Sequence, residues 1–142
     1  MIKITNPKLL NNKIKEYFNT YLFDITSIDI SNKKLFMIHK NNNIIGSFFI
    51  DNKYNILEML YLIKSERGKG YSKIIISFIK DNLLNNKKKY IYFDVDSVNV
   101  IAVKAYEKYL KFYKILPHDI FYKIYKFELK KDKIIYRFIL EK

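Results

Sequence analysis

The sequence predicts a mixed α/β fold around one central sheet. Strand-like apolar runs recur along the chain, three stretches with apolar residues at helical spacing lie among them, and Asn- and Gly-containing turns separate the pieces. At 142 residues the chain is close to the rough prior of ~150 residues per domain, so residues 1–142 are expected to form a single domain. A chain of that size buries about 68–70% of its unfolded surface and folds without staples.

The elements follow in order. Met1 to Thr5 reads as a short strand. Pro7 suits the first turn of a helix to about Thr20, with Leu9, Leu10, Ile14, Tyr17 and Phe18 on its apolar side. Leu22 to Ile30 reads either way. Lys34 to His39 and Ile44 to Ile50, joined by Asn41-Asn42-Asn43, read as a hairpin. Tyr54 to Ile63 is apolar on both faces except at Asn55 and Glu58, the pattern of a central strand. A helix from about Tyr71 to Leu84 carries Ile75, Ile76, Ile79 and Leu83 on one stripe. Tyr90 to Asp96 alternates, with Ile91, Phe93 and Val95 on one face and Tyr92, Asp94 and Asp96 on the other. A helix from about Asn99 to Leu110 carries Ala102, Val103, Tyr106 and Leu110, and Phe121 to Leu129 with Lys133 to Glu141 reads as a terminal antiparallel pair.

Composition narrows the function. The chain is 49% hydrophobic and 29% charged, which argues against disorder. Cysteine is absent, excluding disulfides, thiolate zinc sites and a thiol nucleophile. His39 and His118 stand in no ligand-like spacing, so no metal is expected. No stretch approaches ~18 consecutive apolar residues, and the start of the chain lacks a signal-peptide core. The protein is expected to be soluble and cytoplasmic, with no membrane partner.

The net charge of +13 first suggests an anionic partner, phosphate or nucleic acid. A compositional reading competes. All basic residues but Arg67 and Arg137 are Lys, accompanied by abundant Ile, Asn, Tyr and Phe, a usage that AT-rich codons produce. Readers of nucleic acid rely more on the planar fork of Arg.

The chemistry concentrates between Glu58 and Leu84. A buried strand feeds Lys64-Ser65-Glu66-Arg67-Gly68-Lys69-Gly70, which holds two of the three glycines, and a helix follows at once. Successive N–H groups of such a loop form an anion-binding concavity, and the first helical turn adds its partial positive charge. Gly68 and Gly70 lack Cβ, so an anion can approach the backbone closely. Arg67 and Lys69 add full charges. A phosphate or pyrophosphate is the natural guest, although a solvated basic turn has the same local composition. The spacing matches neither the Walker-type loop nor the dinucleotide fingerprint.

The segment does read R-x-x-G-x-[small], as Arg67-Gly68-Lys69-Gly70-Tyr71-Ser72. This resembles motif A of the GNAT superfamily of N-acetyltransferases, with Ser72 where the family usually has Gly or Ala. Farther on, Asn99, Ala102, Tyr106 and Lys108 match the family's N-x-x-A-x-x-x-Y-x-K pattern. The family closes it with Gly-Phe; here the chain runs Tyr109-Leu110-Lys111-Phe112. The resemblance covers about Glu58 to Phe112. It implies a central mixed, mostly antiparallel sheet flanked by helices, with a strand–Gly loop–helix cofactor site. It further implies acetyl-CoA as cosubstrate, its pyrophosphate on Arg67, Gly68, Lys69, Gly70, Tyr71, Ser72 and Lys73. The pantetheine arm would pair along Leu60, Tyr61 and Leu62, and Asn99 would help anchor that arm.

Without Cys, direct attack of an acceptor amine on the thioester is the economical route. It needs a base, a polarised carbonyl and a proton for the departing thiolate. The resemblance implies Asp94 as first choice of base, five residues before Asn99. Glu58 is the other candidate, since a carboxylate in an apolar strand must face a cleft, water or a cation. Its alternative is a strand-edge residue paired with a Lys. Tyr106 is the implied acid, because a phenol can protonate a thiolate; its alternative is a core aromatic. A backbone N–H near Tyr61 or Leu62 would polarise the carbonyl, if two central strands splay there. The acceptor is then an amine of a small molecule or protein. Alternatives are an aminoacyl-tRNA acetylating toxin, which the charge favours, and a non-catalytic module binding CoA or nucleic acid. Family habit allows a homodimer. Acceptor choice is expected to lie in Pro7 to Ile30 and Leu116 to Phe121.

Overall fold

The computed structural model describes residues 1–53, 55–85, 90–96, 104, 108, 113–115, 117–119, 122 and 133–139; in the strands after residue 89 it describes the backbone, with the side chain of Tyr92. The strands are β1 (Ile2–Thr5), β2 (Lys33–Lys40), β3 (Asn43–Asp51), β4 (Ile56–Leu62), β5 (Tyr90–Asp96), β6 (Tyr113–Ile115) and β7 (Lys133–Ile139). Two helices, α1 (Asn12–Tyr21) and α2 (Tyr71–Asn85), complete the frame, with short 3-10 turns at Ile25–Ser27 and Lys64–Glu66. The sheet order is β1-β2-β3-β4-β5-β7-β6, antiparallel throughout except for β4 beside β5. The mixed, mostly antiparallel sheet is the predicted one, and β4 is central in it.

The β2–β3 hairpin forms because Asn41 and Asn42 both accept left-handed backbone, at φ 51° and 72°. Asn tolerates that region and so supplies a turn whose twist suits the strands. The strands alternate between two cores. Phe36, Ile38, Phe48, Ile50 and Leu57 face α2, which returns Ile75, Ile76, Ile79 and Leu83, the four residues its periodicity predicts. Leu35, Met37 and Phe49 face α1, which returns Ile14, Tyr17 and Phe18. The hydroxyls of Tyr17 and Ser47 share a hydrogen bond of 3.0 Å inside that second core. Burial pushes the Tyr17 phenol up to about 12, because the charged form has lost its water.

One expectation needs correcting. The first helix starts at Asn12, not Pro7. Asn11 is its N-cap, with Oδ1 accepting from the Ile14 N–H at 3.0 Å, and this cap outweighs the proline signal. Leu9 is consequently outside the helix and 82% exposed. The final strand, β7, pairs with β5 and β6; its expected partner, Phe121 to Leu129, lies outside the described residues except for Tyr122, which is helical. The ambiguous stretch Leu22 to Ile30 holds one 3-10 turn, capped by Asp24, whose Oδ1 accepts from the Thr26 N–H. Most of the predicted helix from Asn99 to Leu110 lies outside the described residues; Lys104 and Lys108 are helical and exposed.

The Tyr17 phenol gives a pH test. Its folded pKa exceeds the usual ~10, so its contribution is complete below pH ~10 and is lost as pH rises toward about 12. Replacement by Phe is expected to destabilise the protein near neutrality by about 0.5–1.5 kcal/mol, the worth of a hydrogen bond. The gap between Tyr17→Phe and the parent should close between those pH values. Denaturant melts at stepped pH measure it.

Candidate active site

The site is set by a fault in β4. Phe49 pairs with Glu58 and Ser47 with Tyr61, so two residues of β4, Met59 and Leu60, oppose Phe48 alone. Met59 carries the bulge at φ 52° and is 41% exposed. A side chain in left-handed backbone costs roughly 1–2 kcal/mol. The bulge reverses the strand's alternation. Leu57 faces α2 before it, and Leu60 and Leu62 still face α2 after it. Glu58 and Tyr61, three residues apart, consequently share the α1 side with their partners Phe49 and Ser47.

The same strand parts from its other neighbour. β4 and β5 pair in parallel at Ile56↔Tyr92 and Leu57↔Phe93, and the Tyr92 N–H donates to the Asn55 carbonyl at 3.0 Å. Among the described residues no further pair follows, so the β5-facing edge of β4 has no strand partner there from Glu58 onward. Glu58 and Asp94 are each the first residue past the last pair, so two of the candidate acids begin the fork from opposite sides.

The fork opens toward the Gly loop. Gly68 and Gly70 are left-handed, at φ 75° and 81°, and a Cβ on either would meet nothing within 4 Å. Their need for glycine is conformational. Such backbone turns successive N–H groups toward one side. α2 begins at Tyr71, directly after Gly70, and its first turn carries no acidic side chain. Ser72 and Lys73 lie in that turn, so its N–H groups meet no built-in carboxylate. Arg67 is spent partly on the loop itself: its Nε donates to the Leu62 carbonyl at 2.8 Å, and its guanidinium lies 5.1 Å from the Tyr61 ring centroid. That contact ties the loop to the end of β4.

Four features were not read from the sequence. Lys33, at the start of β2, reaches across β3 to form an ion pair with Glu58. This realises the lysine-paired alternative for Glu58; a residue 25 positions away gives no local signal. Glu66 holds Lys40 at 3.1 Å and Lys69 at 3.4 Å. The Lys40 bond keeps the Glu66 carboxyl below its usual range, and the same bond raises the Lys40 ammonium. Lys40 also sits 5.8 Å from the Tyr71 ring. Gly46 of β3 abuts the end of β4, where a Cβ would lie 2.4 Å from the Tyr61 carbonyl oxygen. Met59 is the fourth, since nothing in Leu57-Glu58-Met59-Leu60 marks a left-handed residue.

Asp94 and Asp96 are placed by their β5 backbone alone, and Tyr106 and Asn99 lie outside the described residues. A wide cleft of about 710 Å³ lies elsewhere, between β1 and the start of α1, lined by Lys3, Lys13, His39 and Asn41 among others. None of the predicted site residues lines it. His39 there stays below its usual pKa through burial and the charge of Lys3. Among the described residues no helix is long and apolar enough to cross a membrane, and no group of three acidic, His or Cys side chains gathers to hold a metal.

No protein of curated function matches the chain by sequence. Several solved structures share its fold. The ribosomal-protein-S18-alanine N-acetyltransferase from Escherichia coli aligns at TM-score 0.72 and 11% identity, over 100% of this chain and 96% of that one. A Bacillus subtilis acetyltransferase in complex with CoA aligns at 0.68 and 12%, over 99% and 100%. A GNAT family acetyltransferase from Elizabethkingia anophelis with acetyl-CoA bound aligns at 0.65 and 16%, over 98% of each chain. The model of the acetyltransferase (GNAT) family matches residues 6–112, from the turn before α1 to beyond the second motif. The bulged strand, the fork and the left-handed Gly loop all lie within the matched residues, and the chain belongs to the GNAT acetyltransferase family.

Proposed function

We propose that residues 1–142 form one catalytic domain, an acetyl-CoA-dependent N-acetyltransferase that moves the acetyl group directly to an acceptor amine. The single observation that carries this reading is the fork between β4 and β5 with the loop of Gly68 and Gly70 at its open end. A pyrophosphate is the ligand that such a loop and helix start suit. An extended arm entering from the loop finds Leu60 to Leu62 without a β5 partner among the described residues, the Leu62 carbonyl being held by Arg67. CoA and acetyl-CoA in complexes of similarly folded proteins support the assignment.

In this reading the N–H groups of Gly68 to Ser72 hold the pyrophosphate, and Lys69 and Lys73 lower its charge. Arg67 maintains the loop rather than serving as a free cation, because its Nε is already committed to Leu62. An N–H of the open edge near Tyr61 polarises the thioester carbonyl. Glu58 or Asp94, at the two sides of the fork, takes the proton of the amine. Tyr106 returns one to the thiolate, and Asn99 steadies the helix that presents it. The acceptor is an amine of a small molecule or a protein.

Gly70→Val tests the loop. A β-branched residue at φ 81° is strained by roughly 1–2 kcal/mol, and relief turns the amides away. CoA affinity by calorimetry should fall roughly tenfold or more for the 1.4 kcal/mol per decade involved, with the fold retained by circular dichroism. Unchanged affinity in the folded variant would remove the loop from the site.

Tyr106→Phe tests the acid. Turnover should fall by roughly 10²–10⁴-fold, as for loss of a general acid, while acetyl-CoA affinity holds. Normal turnover with lowered thermal stability would make Tyr106 a packing residue.

A further inference from the structure

The Lys33–Glu58 pair is more than a surface contact in its placement. Lys33 lies two strands from β4, and its cross-strand partner is Asp51. Its ammonium nevertheless reaches the carboxylate that begins the fork. The two side chains are 22% and 26% exposed, sheltered but open to a second molecule. Glu58 stands one residue past the last β4–β5 pair. An arm held at Gly68–Gly70 and laid back along β4 brings its far end to that point. An acetyl acceptor must place an ammonium beside a carboxylate there, and the chain already does so with its own lysine.

We propose that the Lys33 ε-amine is itself an acetyl acceptor, modified in cis by acetyl-CoA bound in the fork. The proposal rests on the reading of the fork as the acetyl-CoA site. Glu58 removes one proton from the Lys33 ammonium. The freed lone pair on Nζ forms a bond to the thioester carbonyl carbon. The C–S bond breaks, its electron pair leaves with sulfur, and the thiolate takes a proton from Tyr106 or water, which is made good by the second proton that Nζ sheds as the amide forms. Nε-acetyl-Lys33 and CoA result, and Glu58 passes its proton to solvent. No oxidant, reductant or further reactant enters.

The test uses the full chain and acetyl-CoA carrying an isotopically labelled acetyl group. Peptides from a protease that does not cut at lysine are analysed by mass spectrometry over time. Label is expected at Lys33 at least tenfold faster than at neighbouring Lys34 or at Lys64, both exposed. The rate constant should not change when the protein is diluted, as an intramolecular step requires. Glu58→Gln should slow it roughly 10²–10⁴-fold if the carboxylate is the base. Lys33→Arg should lose the label there while calorimetry still shows acetyl-CoA binding. Binding without preferential labelling of Lys33, or a rate that falls with dilution, overturns this proposal alone. Absence of acetyl-CoA binding overturns it together with the reading of the fork.

Discussion

The shape of the site depends on one constraint: β4 cannot pair fully on both edges. Its ladder with β5 ends after Leu57↔Phe93, and two residues later Met59 enters left-handed backbone. A regular parallel pair would satisfy every backbone group and close the space between the strands. The bulge instead twists β4 away and resets its alternation. Because of that reset, Leu57, Leu60 and Leu62 all serve the α2 core, while Glu58 and Tyr61 look to the other side. The cost of a strained Met59 is met by packing on both faces of the sheet, where Phe36, Phe48 and Phe49 are almost wholly buried.

The loop beyond β4 is held by charge and stacking. Arg67 is bonded back to Leu62 and lies over Tyr61. Glu66 draws in Lys40 from the β2–β3 hairpin and Lys69 from the loop. These pairs stay partly open to water and are individually of small energetic worth. Their consequence is positional. They fix a loop whose two glycines would otherwise lose the most conformational freedom on folding, and they pair off Glu66 ahead of α2, whose own first turn carries no acidic side chain. Gly46 belongs to the same arrangement, since its missing Cβ lets β3 close on the Tyr61 carbonyl.

Much of this was legible in the residues, for physical reasons that differ by element. The hairpin, α2 and β5 announce themselves because local signals and tertiary demands agree: Asn at the turn, helical spacing at Ile75, Ile76, Ile79 and Leu83, alternation from Tyr90 to Asp96. The start of α1 was misplaced because Pro7 and Asn11 both signal a helix start, and only the Asn11 side chain reaches a backbone N–H. The placing of β7 between β5 and β6 is a non-local choice that adjacent sequence does not encode. In the site, the Gly loop was readable because glycine is rare in this chain. The bulge at Met59 and the grip of Lys33 on Glu58 were not: the first depends on which neighbour β4 abandons, the second on a lysine two strands away.

CoA is expected to meet the backbone at the Gly loop and along the end of β4. Amide NMR of ¹⁵N-labelled protein titrated with CoA measures this residue by residue. The largest shifts are expected at Gly68, Lys69, Gly70, Tyr71 and Ser72, with a second group along Glu58 to Leu62. Shifts confined to the cleft between β1 and α1, at Lys3, Lys13, His39 and Asn41, would contradict it.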